Sequence, residues 1–151
     1  MFTDEYFMNK ALEEAQFAFD RDEVPVGAVI VAGNRIIARA HNLTETLTDV
    51  TAHAEMQAIT SAAVYLGGKY LTECTLYVTL EPCLMCAGAL YWAQIARIVY
   101  GATDSKRGFS LNSVSPLHPA TTLTSGILEK ESAALLTDFF KKKRKNHCNF
   151  K

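Results

Sequence analysis

Apolar residues recur at steps of four near the start of the chain, at Phe7, Ala11, Ala15 and Phe19, with Met8 and Leu12 beside them. That period predicts an amphipathic helix over residues 5–20, which Asp22-Glu23-Val24-Pro25 then breaks. The continuous apolar run 26–31 reads as a buried strand, Gly33-Asn34 as a hairpin turn and residues 35–40 as the returning strand. An Ala-rich helix follows from residue 51 to about 65, with Thr51 placed to cap it and Gly67-Gly68 to close it. Residues 75–79, Thr-Leu-Tyr-Val-Thr, form a third strand. Pro82 is expected to open a helix to about residue 93, because proline suits a first helical turn. Residues 95–100 give a fourth strand, ended by Gly101. The stretch 102–125 is polar and rich in Ser, Thr, Pro and Gly, and reads as a long loop of the functional or mobile kind. A last helix is predicted from Glu129 to about residue 145, with Ala133, Leu136, Phe139 and Phe140 as its apolar stripe. The order α-β-β-α-β-α-β-α implies an α/β layered sandwich, with an antiparallel hairpin at one side and parallel crossovers after it. No repeat or low-complexity linker interrupts it, so residues 1–151 are read as one domain.

Composition narrows the class. The chain is 49% apolar and 21% charged, which is ordinary globular usage and excludes disordered and collagen-like chains. No apolar run approaches the roughly 18 residues of a membrane span. The opening Met1-Phe2-Thr3-Asp4-Glu5 lacks the basic flank and apolar core of a signal peptide. These features together predict a cytoplasmic protein with no membrane partner. In that reducing compartment the four cysteines, Cys74, Cys83, Cys86 and Cys148, are expected as thiols or metal ligands and not as disulfides. Charge is unevenly spread: Lys141-Lys142-Lys143-Arg144-Lys145 is five cations in a row, and without them the net charge of −1 would be −6. A basic tail on an acidic body suits a polyanionic partner, although a cationic helix end also complements the helix dipole.

The chemistry concentrates in His53-Ala54-Glu55 and Pro82-Cys83-Leu84-Met85-Cys86. Cys83 and Cys86, three apart at a helix start, fall on one face, and the helix N-terminus favours their thiolates. One imidazole and two thiolates give Zn²⁺ three protein ligands, one short of a structural site. Cys74 before a strand and Cys148 beyond the basic run are poor fourth ligands. The open position is where a water binds and loses its proton near neutral pH. Glu55, two residues from His53, does not share its helix face and is free to carry protons. A Cys-x-x-Cys alone also suits a redox pair or half of a structural zinc site. The ordered pattern His-x-Glu…Pro-Cys-x-x-Cys marks the zinc nucleobase deaminases.

Five segments extend the pattern: Pro25-Val26-Gly27-Ala28-Val29, Ala40-His41-Asn42, Thr51-Ala52-His53-Ala54-Glu55, the run from Thr75 to Cys83, and Met85-Cys86-Ala87-Gly88-Ala89. With these the chain resembles the bacterial tRNA-specific adenosine deaminases from Phe7 to Arg144. The resemblance implies a cytidine deaminase-like, three-layer α-β-α sandwich with a mixed central sheet of about five strands. It also implies a homodimer that converts the wobble adenosine of a tRNA anticodon loop to inosine. His53, Cys83 and Cys86 would hold one Zn²⁺ per chain, and Glu55 would move protons from the water to the purine ring and the leaving ammonia. Asn42 would hydrogen-bond the base, and Val26, Ala54 and Leu80 would wall its pocket. Asp104 and Lys106 match an Asp-x-Lys loop near the RNA backbone, and Lys143 and Arg144 belong to the matching tail helix. Leu117-His118-Pro119-Ala120-Thr121 departs from the family's Asn-His-Arg-like segment, and Tyr91-Trp92 resembles bacterial guanine deaminases. The competing expectation is therefore a free-base or nucleoside deaminase acting on guanine or cytosine. The basic tail discriminates, since a free base offers no phosphates.

Overall fold

A computed structural model describes the backbone of residues 1–148 and the side chains of residues 1–146. The elements are α1 (Asp4–Asp20), β1 (Gly27–Ala32), β2 (Arg35–His41), α2 (Ala54–Leu66), β3 (Cys74–Leu80), α3 (Leu84–Ala93), β4 (Arg97–Ala102), a short 3₁₀ turn (Phe109–Leu111), β5 (Thr122–Thr124) and α4 (Glu129–Cys148). The sheet order is β2-β1-β3-β4-β5. β1 runs antiparallel to both β2 and β3, while β3, β4 and β5 are mutually parallel. The sheet is therefore mixed, as expected.

Alternation along the central strands builds a core on each face. Ala28, Ile30, Leu76, Val78, Ile98 and Tyr100 point to one side, where Ala54, Ala58 and Ala62 of α2 and Ala87, Leu90 and Ala93 of α3 meet them. Val29, Val31, Tyr77 and Val99 point to the other, against Phe7, Met8 and Ala11 of α1. A strand with both faces buried reads as a continuous apolar run, which is what residues 26–31 show. α1 approaches β1 so closely that a side chain on Gly27 would run into the Ala11 carbonyl and the Ala15 nitrogen. The hairpin turn takes positive φ at both Gly33 (56°) and Asn34 (61°), as a type I′ turn requires.

Four local expectations are corrected. Thr51 does not cap α2: its hydroxyl bonds Asp49 Oδ1 at 2.7 Å, and His53 occupies the N-cap. Pro82 lies ahead of α3, whose N-cap is Cys83. The stretch 102–125 is not one loop. Phe109 is buried in the core, and Thr122–Thr124 pairs in parallel with residues 97–99 as the fifth strand. The inner face of α4 is Ser132, Leu136 and Phe139, while Ala133 and Phe140 are exposed.

Candidate functional site

The site sits where two helices begin. His53 and Cys83 are the N-cap residues of α2 and α3, and neither side chain caps its own helix. Both side chains are thus free to point into the space between the two N-termini, where partial positive charge favours thiolates. Cys86, one turn into α3 and fully buried, completes the group. The Nδ1 of His53 lies 3.6 Å from Cys83 Sγ and 3.4 Å from Cys86 Sγ. Zinc–nitrogen bonds of about 2.0–2.1 Å and zinc–sulfur bonds of about 2.3 Å at a tetrahedral angle separate such donors by about 3.6 Å. The three donors therefore already stand at the spacing of zinc ligands, and they form a metal-binding group among the described residues.

Proton placement agrees with that reading. The hydrogen bond from Cys86, with help from His53, holds the Cys83 thiol down to about 4. Cys86 moves the other way, because it shares its proton with Cys83 and is buried beside Glu55. The His53 imidazole is raised by its contact with Cys83. One negative sulfur thus forms readily, and a cation is needed to release the second proton. Cys74 opens β3, at the opposite end from Leu80. Six residues of strand put about 20 Å between those ends, so Cys74 cannot close the site. The side chain of Cys148 lies outside the described residues.

Above the donors opens a cleft of about 520 Å³, lined by Val26, Asn42, His53, Ala54, Glu55, Leu80, Cys83 and Asp104 among others. Eight of the expected site residues are brought together there. Glu55 is 4% exposed, and burial pushes its carboxyl up to about 7. Asn42 is also buried. Its Nδ2 reaches Thr44 Oγ1 at 3.4 Å, whereas its Oδ1 has no partner among the described residues. A buried carbonyl oxygen left unpaired costs free energy that a donor on a bound ligand recovers. Asp104 Oδ1 accepts the backbone N–H groups of Lys106 and Arg107, both at 3.0 Å, and so shapes the turn at the cleft rim.

Three expected residues do not reach the cleft. Lys106 points to solvent beside it while Arg107 lines it. Lys143 donates to Asp22 Oδ2 at 2.6 Å, and Arg144 is exposed on α4. The tail forms its own shallow depression of about 270 Å³, lined by Asp138, Lys141, Lys142, Lys145 and Asn146. Sequence reasoning missed Thr44 and Glu81, which also line the cleft. Glu81 stands directly before Pro82-Cys83, and an acid in that place, at the buried end of a strand, was the available signal.

Residues 1–102 match the family model for the cytidine and deoxycytidylate deaminase zinc-binding region. A tRNA-specific adenosine deaminase of Agrobacterium fabrum is 49% identical over 144 residues, covering 92% of this chain and 95% of the relative. A solved structure from a study of A-to-I editing by tRNA:A34 deaminases at the wobble position superposes with a TM-score of 0.82 at 48% identity, covering 87% of this chain and 99% of that one. A guanine deaminase from Bacillus subtilis superposes with a TM-score of 0.65 at 40% identity, over 68% of this chain and 66% of that one.

Proposed function

The chain belongs to the zinc-binding cytidine and deoxycytidylate deaminase family, among its tRNA-specific adenosine deaminases, and from that premise we propose that it hydrolyses the wobble adenosine of tRNA to inosine and ammonia. The observation that carries the reading is the group of His53, Cys83 and Cys86 at zinc-ligand spacing beneath a cleft that also holds a buried carboxyl, Glu55. His53, Cys83 and Cys86 would hold a zinc ion, which would supply Lewis-acid activation of a water for attack on C6 of the purine. The Glu55 carboxylate takes a proton from that water, delivers it to the purine ring and passes a further proton to the departing ammonia. Asn42 Oδ1, unpaired among the described residues, accepts a hydrogen bond from the base and fixes its orientation. Val26, Ala54 and Leu80 form the apolar walls that exclude bulk water around it. The target base must leave its stack to enter, which costs least in a single-stranded loop. Asp104 shapes the rim turn, and Lys106, Lys143 and Arg144 meet phosphates of the surrounding RNA.

The active form is a homodimer. α3 leaves Leu84 (53%), Tyr91 (39%) and Trp92 (77%) exposed, and α2 ends with Val64, Tyr65 and Leu66 exposed. An apolar surface of this extent on one side of the sheet suits a second copy. Trp92 is thus interface and not subunit core. The chain acts as one domain, since both helical layers share a single sheet, and it works in the cytoplasm, where its RNA is. Among the described residues no helix is long and apolar enough to cross a membrane.

Sequencing of an adenosine-34 tRNA after incubation with the purified protein tests the proposal. Inosine, read as guanosine, is expected at position 34 and nowhere else in the loop; an unchanged adenosine 34 overturns the reading.

A further inference from the structure

Two fully buried carboxylates lie outside this chemistry. Glu23, in the turn after α1, is 0% exposed, and Glu81, between β3 and Pro82, is 1% exposed. Among the described residues neither forms an ion pair. A buried carboxylate without a cation must be satisfied by hydrogen bonds, and each of these is satisfied by donors of one loop, mostly backbone N–H groups. Glu23 accepts the N–H of Glu45 at 3.0 Å and both the N–H and the hydroxyl of Thr46 at 2.7 Å. Glu81 accepts the N–H of Asp104 at 3.1 Å and of Ser110 at 2.9 Å. Burial opposes ionisation of Glu23, yet the bonds from Glu45 and Thr46 outweigh it and hold the carboxyl below the ordinary range.

The two loops are the two walls of the cleft. The first, which follows β2, presents Asn42 and Thr44; the second, which follows β4, presents Asp104 and Arg107. Glu81 also stands at the joint that carries Cys83, and the N–H of Phe109 donates back to the Pro82 carbonyl at 3.0 Å. Gly108 lies so close to the Glu81 carboxylate that a Cβ there would collide with it. We propose that Glu23 and Glu81 are positioning residues for the deamination. Glu23 holds the base-facing wall against the end of α1, and Glu81 holds the rim wall against the strand–helix joint of the metal ligands. Together they fix the width of the cleft over the zinc donors. The proposal rests on the deaminase reading for its substrate, and on the hydrogen bonds alone for the clamps.

The variants are Glu23→Gln, Glu81→Gln and Gly108→Ala in the full chain. Glutamine keeps one acceptor but turns an NH₂ toward the other N–H donor, so one end of each loop is released. Hydrogen exchange at Glu45 and Thr46 is expected to speed up by about 10-fold or more in Glu23→Gln alone, and at Asp104 and Ser110 in Glu81→Gln alone. Zinc should stay at one per chain. KM for an anticodon stem-loop should rise by about 10-fold, the equivalent of one charge-assisted hydrogen bond, with kcat changing less than about 3-fold. Gly108→Ala should reproduce Glu81→Gln with the carboxylate intact. Unchanged local exchange, faster exchange with an unchanged KM, or a fall in kcat that tracks zinc loss would each overturn the proposal. If the wild-type protein deaminates free guanine and leaves the stem-loop intact, the tRNA reading fails. The same KM comparison on guanine then decides the clamps.

Discussion

Replacing Glu55 with Gln separates proton transfer from every other role of that side chain. The volume and one acceptor oxygen are kept, zinc loses no ligand, and only the ability to carry a proton is removed. General acid–base catalysis by one group is worth about 10²–10⁴ in rate. Glu55 is assigned two successive transfers, so the loss should reach about 10⁴ or more, a barrier increase of about 5 kcal/mol. Stability should move in the opposite direction. In the metal-free protein the carboxyl is raised from 4.5 to about 7 by burial. Ionising it in the fold is then unfavourable: the penalty is absent below pH 4.5, grows between 4.5 and about 7, and is complete above that. Gln removes up to about 3 kcal/mol of that penalty. Single-turnover kinetics on a wobble-adenosine stem-loop, zinc analysis, and urea unfolding of chelated protein at pH 8 measure the three quantities. The expected variant is inactive, zinc-loaded and, without metal, more stable than wild type. Near-normal turnover, or zinc loss in the variant, would refute the assignment.

The metal claim predicts one zinc per chain by elemental analysis. Cys86→Ala should lose both zinc and activity, and retention of a full zinc complement would point to a different ligand set. For the dimer, light scattering at micromolar concentration should give twice the chain mass, and Trp92→Glu should shift it toward monomer; a monomeric wild type would contradict the interface. Replacing Lys142, Lys143 and Arg144 together by Ala should weaken RNA binding and flatten its salt dependence by about 0.7 log units per lost phosphate contact. Folding should hold, because the Lys143–Asp22 pair is largely exposed and such pairs contribute little. An unchanged salt slope would remove the tail from the RNA interface.

The long elements were legible because their burial is one-sided or complete. α1 shows a clean period of four since only one face touches β1, and β1 shows an unbroken apolar run since both faces are covered. β5 was not legible: three residues, two of them exposed, are too few to show a period of two. Their strand character comes from docking on β4, with the Thr121 hydroxyl donating to the Ile95 carbonyl at 2.7 Å. The helix starts were displaced for a related reason. Thr51 and Pro82 are good terminal residues by local rules, but the N-caps went to His53 and Cys83, whose side chains are directed toward each other across the two helices. The zinc donors were readable because ligand chemistry demands fixed residue types at short spacing. The clamps of Glu23 and Glu81 were not, because each joins residues more than twenty positions apart through backbone groups that every sequence possesses. Proximity of the tail to the cleft was equally beyond sequence, and Lys143 is found on Asp22.

On the proposed function, this cleft serves an adenosine presented by RNA and not a free base. The ratio of kcat/KM for a wobble-adenosine stem-loop to kcat/KM for free guanine, measured with the same zinc-loaded protein, tests it most directly. Inosine formation in the stem-loop and no detectable turnover of guanine are expected. Robust guanine turnover with an unaltered stem-loop would contradict it.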